Sequence, residues 1–190
     1  MLISPKVVQG NWDFGIVLDK HTISSEYLGE DIFGNPKYYN NRTKLGELVY
    51  ELKYKNKYDN IDKIKSLIKS YLIKDSNLNG NFDVILSIPP SKSRNVQPVS
   101  LIGKAISDIF HCCYVNNVLV KTSDEQSKNM VNKQSIQGTI QQRVLANRKT
   151  NILLIDDIYS TGTTANECVK VLKNDKNIDK IYYLAMTYTK

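Results

Sequence analysis

Hydrophobic residues recur along the chain with two spacings, and the two spacings alternate. Runs of consecutive aliphatic residues predict strands that are covered on both faces. Apolar residues three or four positions apart predict helices with one buried face. Strands are predicted at residues 13–19, 84–88, 114–120, 152–155 and 181–186, and helices at 45–52, 61–72, 99–110 and 164–173.

This alternation of strands and helices predicts an α/β fold, with a parallel sheet, right-handed crossovers and helices on both faces. A length of 190 residues with 41% hydrophobic content suits one well-buried domain with a small appended lobe. Residues 22–39 contain Gly29, Gly34 and Pro36 and are predicted to form a hairpin. We therefore divide the chain into an N-terminal hairpin or hood region, residues 1–42, and a core domain, residues 43–190.

The predicted strand 152–155 leads into the most informative polar motif. Asp156 and Asp157 follow the strand directly, and a hydroxyl-rich turn comes next. Helical spacing resumes after that turn, so its free backbone N–H groups and the positive end of the helix dipole favour a phosphate. Carboxylates suit neutral sugar hydroxyls, or a Mg²⁺ ion held through water. The motif predicts a sugar-phosphate site, with the phosphate held by Ser160, Thr161, Gly162, Thr163 and Thr164.

Two other interpretations account for parts of this motif. An aliphatic strand ending in two acids also occurs in nucleotide triphosphatases, but no G-x-x-x-x-G-K-[ST] phosphate loop occurs in the sequence. An ordinary helix cap also uses Ser, Thr or Asp. A cap needs only one such residue, however, and gives no reason for two adjacent carboxylates and four hydroxyls around one glycine.

A second polar loop follows the predicted strand 84–88 and should lie on the same rim of the sheet. Lys92 and Arg94 could neutralise a pyrophosphate, while Ser91 and Ser93 add hydrogen bonds. A solvated basic loop explains the same residues about as well when they are considered alone. The neighbouring sugar-phosphate motif favours pyrophosphate.

Residues 152–164 resemble the 5-phosphoribosyl-1-pyrophosphate (PRPP) motif of type I phosphoribosyltransferases. The resemblance implies that fold, with Asp156 and Asp157 as catalytic residues that hold the ribose hydroxyls and a Mg²⁺ ion, through water. It implies transfer of the phosphoribosyl group to a nitrogenous acceptor with release of pyrophosphate. In 6-oxopurine salvage enzymes the position of Ser160 is usually an aspartate, so hypoxanthine and guanine are less expected acceptors.

Flanking motifs resemble the ComF-like group of these enzymes. They comprise Ile88-Pro89-Pro90 with Gln97, the segment 46–54, and Gln134, Arg143 and Asn147 ahead of the acidic strand. The sequence departs from that group by lacking its four-cysteine zinc ribbon and its Arg-Gly-Phe-Asn-Gln run. ComF-like proteins take part in DNA uptake, so the resemblance also suggests a nucleic-acid accessory role.

Residues 121–150 form a long polar segment, as expected for a lid that closes over a substrate. Lys128, Lys133 or Arg143 could then reach the pyrophosphate while closure excludes water. A disordered connector is the alternative interpretation.

The charge and the cysteine content of the chain indicate which ligands and which cellular compartment are expected. The chain has 26 Lys and Arg against 19 Asp and Glu, a net charge of +7, which suits anionic ligands and permits nucleic-acid contact. Scattered lysines such as Lys53, Lys55 and Lys57 favour a solubility role for much of this excess.

Three cysteines without a C-x-x-C pair predict reduced thiols in a cytoplasmic protein. Neither export nor membrane insertion is expected, and homodimer formation is left open.

Three functional hypotheses follow from the sequence. The first is a phosphoribosyltransferase of unidentified acceptor. The second is a regulatory protein that senses PRPP without turning it over. The third is a nucleic-acid accessory protein, which is motivated by the net charge of +7 and by the ComF-like resemblance but has no motif of its own in the chain.

Overall fold

The computed structural model describes residues 3–92, 94–122 and 138–189. None of the helices in these ranges is long and apolar enough to cross a membrane. The helices are α1 (Lys44–Tyr54), α2 (Asn60–Lys74), α3 (Pro98–Phe110) and α4 (Thr163–Leu172). The strands are β1 (Lys6–Val7), β2 (Phe14–Lys20), β3 (Thr22–Glu30), β4 (Pro36–Arg42), β5 (Val84–Ser87), β6 (Cys113–Tyr114), β7 (Leu119–Lys121), β8 (Ile140–Gln142), β9 (Thr150–Tyr159) and β10 (Ile178–Tyr188).

A six-stranded central sheet has the order β1-β2-β10-β9-β5-β6. All neighbouring pairs are parallel except β1 and β2, which are antiparallel. Strands β5 and β9 are therefore neighbours with their carboxyl ends at the same rim, as expected for a parallel sheet built from crossover connections. The mostly parallel sheet confirms the predicted α/β fold class.

Helices cover both faces of this sheet, as predicted. Helices α1, α2 and α3 pack on one face, and α4 packs on the other. The side chains of β9 alternate between the two cores: Leu153 and Ile155 join the first, while Ile152 and Leu154 join the second. This alternation follows from the two-residue period of a strand, and it explains why four consecutive aliphatic residues are all buried.

The N-terminal region contributes to two different sheets. Strand β2 lies inside the central sheet, where it pairs with β10. Strands β3 and β4 form a separate antiparallel hairpin, and most of their residues are exposed. The structure thus places a hairpin in the turn-rich stretch 22–39, while the division of the chain at residue 42 stays a prediction.

Two strand predictions were wrong in their extent. The predicted strand 114–120 is split into β6, which ends the central sheet, and β7, which pairs with β8. Asn117 has a φ of 60°, a left-handed conformation that interrupts an extended strand. Strand β9 does not end before the two aspartates: Asp156 pairs with Ala185 and Tyr159 pairs with Tyr188. Asp156 and Asp157 therefore lie within a paired strand.

Candidate functional site

A cavity of about 160 Å³ lies near the carboxyl ends of β5 and β9, at the rim of the sheet. The two chain segments are tied together there, because the Ile88 N–H donates to the Ile155 carbonyl at 2.9 Å. Residues predicted separately from the sequence meet at this cavity, together with residues the sequence did not indicate. Its polar lining residues are Lys53, Ser91, Arg94, Gln97, Lys121, Asp156, Asp157 and Thr164.

Asp156 is held by two hydrogen bonds. The Tyr183 hydroxyl donates to its Oδ2 at 2.9 Å, and the Asp157 N–H donates to its Oδ1 at 2.8 Å. Tyr183 is fully buried and stacks on Trp12 with ring centroids 4.4 Å apart, so its hydroxyl has a fixed position. Burial and the charge of Asp157 raise the pKa of Asp156 to about 7, against the opposing effects of Tyr183 and Lys53.

Asp157 is only 8% exposed and forms an ion pair with Lys53. The Lys53 Nζ lies 2.9 Å from both carboxylate oxygens. Lys53 comes from the last turn of α1, four residues after the buried Val49. Sequence analysis had grouped Lys53 with solubilising lysines, although this spacing from Val49 places it on the same face of the helix as the core.

The raised pKa of Asp156 predicts a pH-dependent gain in stability for Asp156→Asn. Because the ordinary value is 3.8, the unfolded chain releases this proton at a lower pH than the folded chain does. The wild type therefore loses stability as the pH rises from about 4 to about 7, and Asn removes that loss. We expect the variant to melt above the wild type at about pH 8, and the difference to shrink toward pH 4.

Thermal melts of both proteins across this pH range measure the effect. A difference in melting temperature that grows toward acid pH would contradict a raised pKa for Asp156.

The hydroxyl-rich turn forms the N-terminus of α4, as predicted. Gly162 is the cap with a φ of 74°, and its carbonyl accepts from the Asn166 N–H at 2.8 Å. A side chain there would place its Cβ 2.8 Å from a ring carbon of Tyr159. Thr161 and Thr163 are exposed, with their hydroxyls 2.8 Å apart. Ser160 is also exposed, and Thr164 lines the cavity.

The basic loop after β5 reaches the cavity in part. Ser91 and Arg94 line it, whereas Lys92 is exposed and does not. The Gln97 Nε2 donates to the carbonyls of Lys92 and Arg94 at 3.1 and 3.4 Å, which folds the loop over the start of α3. Ser93 lies outside the described residues.

The predicted lid residues have different outcomes. Lys128 and Lys133 lie outside the described residues. Arg143 is exposed, and its N–H donates to the Val118 carbonyl at 2.8 Å. The β7–β8 register pairs Lys121 with Ile140 and Leu119 with Gln142. Arg143 follows Gln142, so it lies at one end of this strand pair and Lys121 lies at the other end. Arg143 is therefore not brought to the cavity, and Lys121, which the sequence analysis missed, lines it instead.

Only a partly hydrated metal ion would suit these carboxylates. Among residues 3–92, 94–122 and 138–189, no group of three or more His, Cys, Asp or Glu side chains is placed to hold one. Asp156 and Asp157 both line the cavity, and each already has a protein partner, Tyr183 on one face of the sheet and Lys53 on the other. They fit a Mg²⁺ ion that keeps most of its waters and takes other ligands from substrate phosphates, as Mg²⁺ usually does.

No protein-family model matches the chain, and no curated protein sequence matches it significantly. Among solved structures, adenine phosphoribosyltransferase from Trypanosoma brucei, in complex with AMP, pyrophosphate and ribose-5-phosphate, has a TM-score of 0.50 and 14% identity over 96% of this chain and 73% of that chain. The same enzyme from Leishmania tarentolae has a TM-score of 0.46 and 12% identity, over 97% of this chain and 94% of that chain.

Hypoxanthine phosphoribosyltransferase from Staphylococcus aureus has a TM-score of 0.45 and 15% identity, with 67% of this chain and 62% of that chain covered. The chain thus spans less than two thirds of the length of the S. aureus enzyme. At these identities the likeness concerns the fold alone. The mostly parallel sheet with helices on both faces matches the type I phosphoribosyltransferase fold of the T. brucei enzyme.

Proposed function

We propose that the chain is a phosphoribosyltransferase that binds PRPP with Mg²⁺ and transfers the phosphoribosyl group to a nitrogenous acceptor. The observation that carries the proposal is the meeting of three features at one rim. These are the carboxylate pair of β9, the N-terminus of α4 and the basic loop after β5. Each suits a different part of PRPP, and the fold is that of the neighbouring phosphoribosyltransferases.

Each part of PRPP finds a chemically matched group at the rim. The ribose hydroxyls donate to Asp156 and Asp157, because carboxylates accept hydrogen bonds. The 5-phosphate lies at the start of α4, where free N–H groups and the threonine hydroxyls donate to its oxygens. Arg94 and Lys121 line the same cavity and supply positive charge for the pyrophosphate.

In the proposed reaction, a nitrogen of the acceptor displaces pyrophosphate at the anomeric carbon of ribose. The bond from this carbon to pyrophosphate breaks as the bond to nitrogen forms, and the ring develops positive charge. Asp156 and Asp157 fix the ring and offset that charge, while Arg94 and Lys121 stabilise the leaving group. When bound, Mg²⁺ adds positive charge at the pyrophosphate oxygens.

The test is pyrophosphate release from PRPP in the presence of a panel of nitrogenous acceptors, including adenine and other nucleobases. At least one acceptor should give release that depends on Mg²⁺, and the Asp156→Asn/Asp157→Asn protein should lose it. PRPP binding without release for every acceptor would instead support a PRPP-sensing protein. Absence of binding would contradict both, and a salt-sensitive gel shift with single-stranded DNA would then favour a nucleic-acid accessory role.

A further inference from the structure

We propose that Lys53 is a positioning residue of this site, which fixes the Asp157 carboxylate in the orientation that receives the ribose hydroxyls. The inference rests on the proposed function. The carboxylate has a Lys53 Nζ within 2.9 Å of each oxygen, and both residues line the cavity. The pair joins α1 to β9 across 104 residues of sequence.

The burial of this ion pair distinguishes it from the others in the described part of the chain. Its two side chains are 17% and 12% exposed, whereas every other pair has at least one side chain that is 43% exposed or more. Exposed pairs contribute little to stability, and removing one partner of a buried pair leaves a costly unpaired charge. A solubility role does not explain a lysine that is withdrawn from solvent in this way.

Helix α1 holds Lys53 in place. The Thr43 hydroxyl caps the helix by accepting from the Gly46 N–H at 3.0 Å, and it donates to the Lys20 carbonyl at 2.6 Å. Leu45, Val49 and Leu52 are fully buried beneath the helix. The ammonium group therefore extends from a fixed scaffold, and a cation in the last turn also suits the helix dipole.

The pairing leaves Asp157 able to accept further hydrogen bonds. Each carboxylate oxygen can accept about two hydrogen bonds, so one contact from Lys53 leaves capacity on both oxygens. With the carboxylate already oriented, the ribose does not have to order it on binding. Loss of Lys53 should therefore weaken PRPP binding through Asp157, although Lys53 itself need not touch the sugar.

Calorimetric titration with PRPP and Mg²⁺ tests this role in Lys53→Met, which removes the charge and keeps the length. We expect about tenfold weaker binding, with most of the affinity restored in Lys53→Arg. The matched control is Lys57→Met. Lys57 likewise forms an ion pair with a carboxylate, that of Glu51 in α1, but its side chain is 55% exposed. Lys57→Met should bind like the wild type, and circular dichroism checks that all variants are folded.

A double-mutant cycle separates positioning from an independent contact. If Lys53 acts through Asp157, adding Lys53→Met to Asp157→Asn should cause less than about a twofold further loss. Wild-type affinity in Lys53→Met, or a full additional loss in the double variant, would overturn the proposal.

A measurement without ligand keeps this inference distinct from the proposed function. In ¹⁵N NMR of the wild type, the Lys53 ammonium should give a protected signal that disappears in Asp157→Asn. If the wild type fails to bind PRPP, the proposed function is wrong, whereas an unprotected, freely rotating Lys53 ammonium contradicts the positioning role itself.

Discussion

The Asp156→Asn/Asp157→Asn protein is expected to bind PRPP at least about tenfold more weakly than the wild type while keeping its fold. Both side chains line the cavity, and the double change replaces both carboxyl groups that accept hydrogen bonds from the ribose hydroxyls. Asn keeps the size of each side chain, so the packing of β9 should survive. Isothermal titration gives the affinity, and circular dichroism reports the fold.

The matched control for this loss is Asp108→Asn/Asp179→Asn. It makes the same two Asp-to-Asn changes, but both residues are exposed and neither lines the cavity. The control should bind PRPP like the wild type. Equal affinities for the control and the Asp156/Asp157 variant would mean that ribose does not lie against these carboxylates.

The Gly162→Val protein is expected to lose most of its PRPP affinity, again by about tenfold or more. Gly162 has a φ of 74°, a conformation that β-branched residues rarely adopt, and it caps α4. The added Cβ would lie 2.8 Å from the Tyr159 ring, so the turn has to move. Movement of the turn displaces the N–H groups that we assign to the 5-phosphate. Titration with PRPP measures the loss.

Gly80→Val controls for a general loss of stability caused by a strained valine. Gly80 has a φ of 76°, almost the same as Gly162, but no atom lies within 4 Å of its would-be Cβ. This variant should lose some stability and keep its PRPP affinity. Undiminished binding in Gly162→Val would place the 5-phosphate elsewhere.

Local patterns in the sequence were sufficient to predict the central parallel strands and the acidic motif. Four consecutive aliphatic residues in β9 need two covering layers, and that requirement indicates a central parallel strand without reference to the rest of the chain. The turn after it was predictable for a similar reason, because helical spacing begins at Ala165. The predicted end of β9 was wrong, because its pairing with β10 continues through Asp156 and Asp157, a residue type that is depleted in strands, to Ile158 and Tyr159.

The partners of the two aspartates were not predictable in the same way. Tyr183 lies 27 residues from Asp156, and Lys53 lies 104 residues from Asp157. Contacts at such separations depend on the order of the strands and on how α1 packs across them. No local pattern in the sequence reveals either of these. Lys121 was missed because it is the last residue of the short strand β7, whose pairing with β8 no local motif indicates.

The most direct test of the account is isothermal titration of the wild-type protein with PRPP, with and without Mg²⁺. We expect saturable binding of one PRPP per chain, strengthened by Mg²⁺, because the carboxylate pair, the α4 N-terminus and Arg94 meet at one rim. Absence of binding in the presence of Mg²⁺ would contradict it, and would leave a phosphoribosyltransferase fold that serves another ligand.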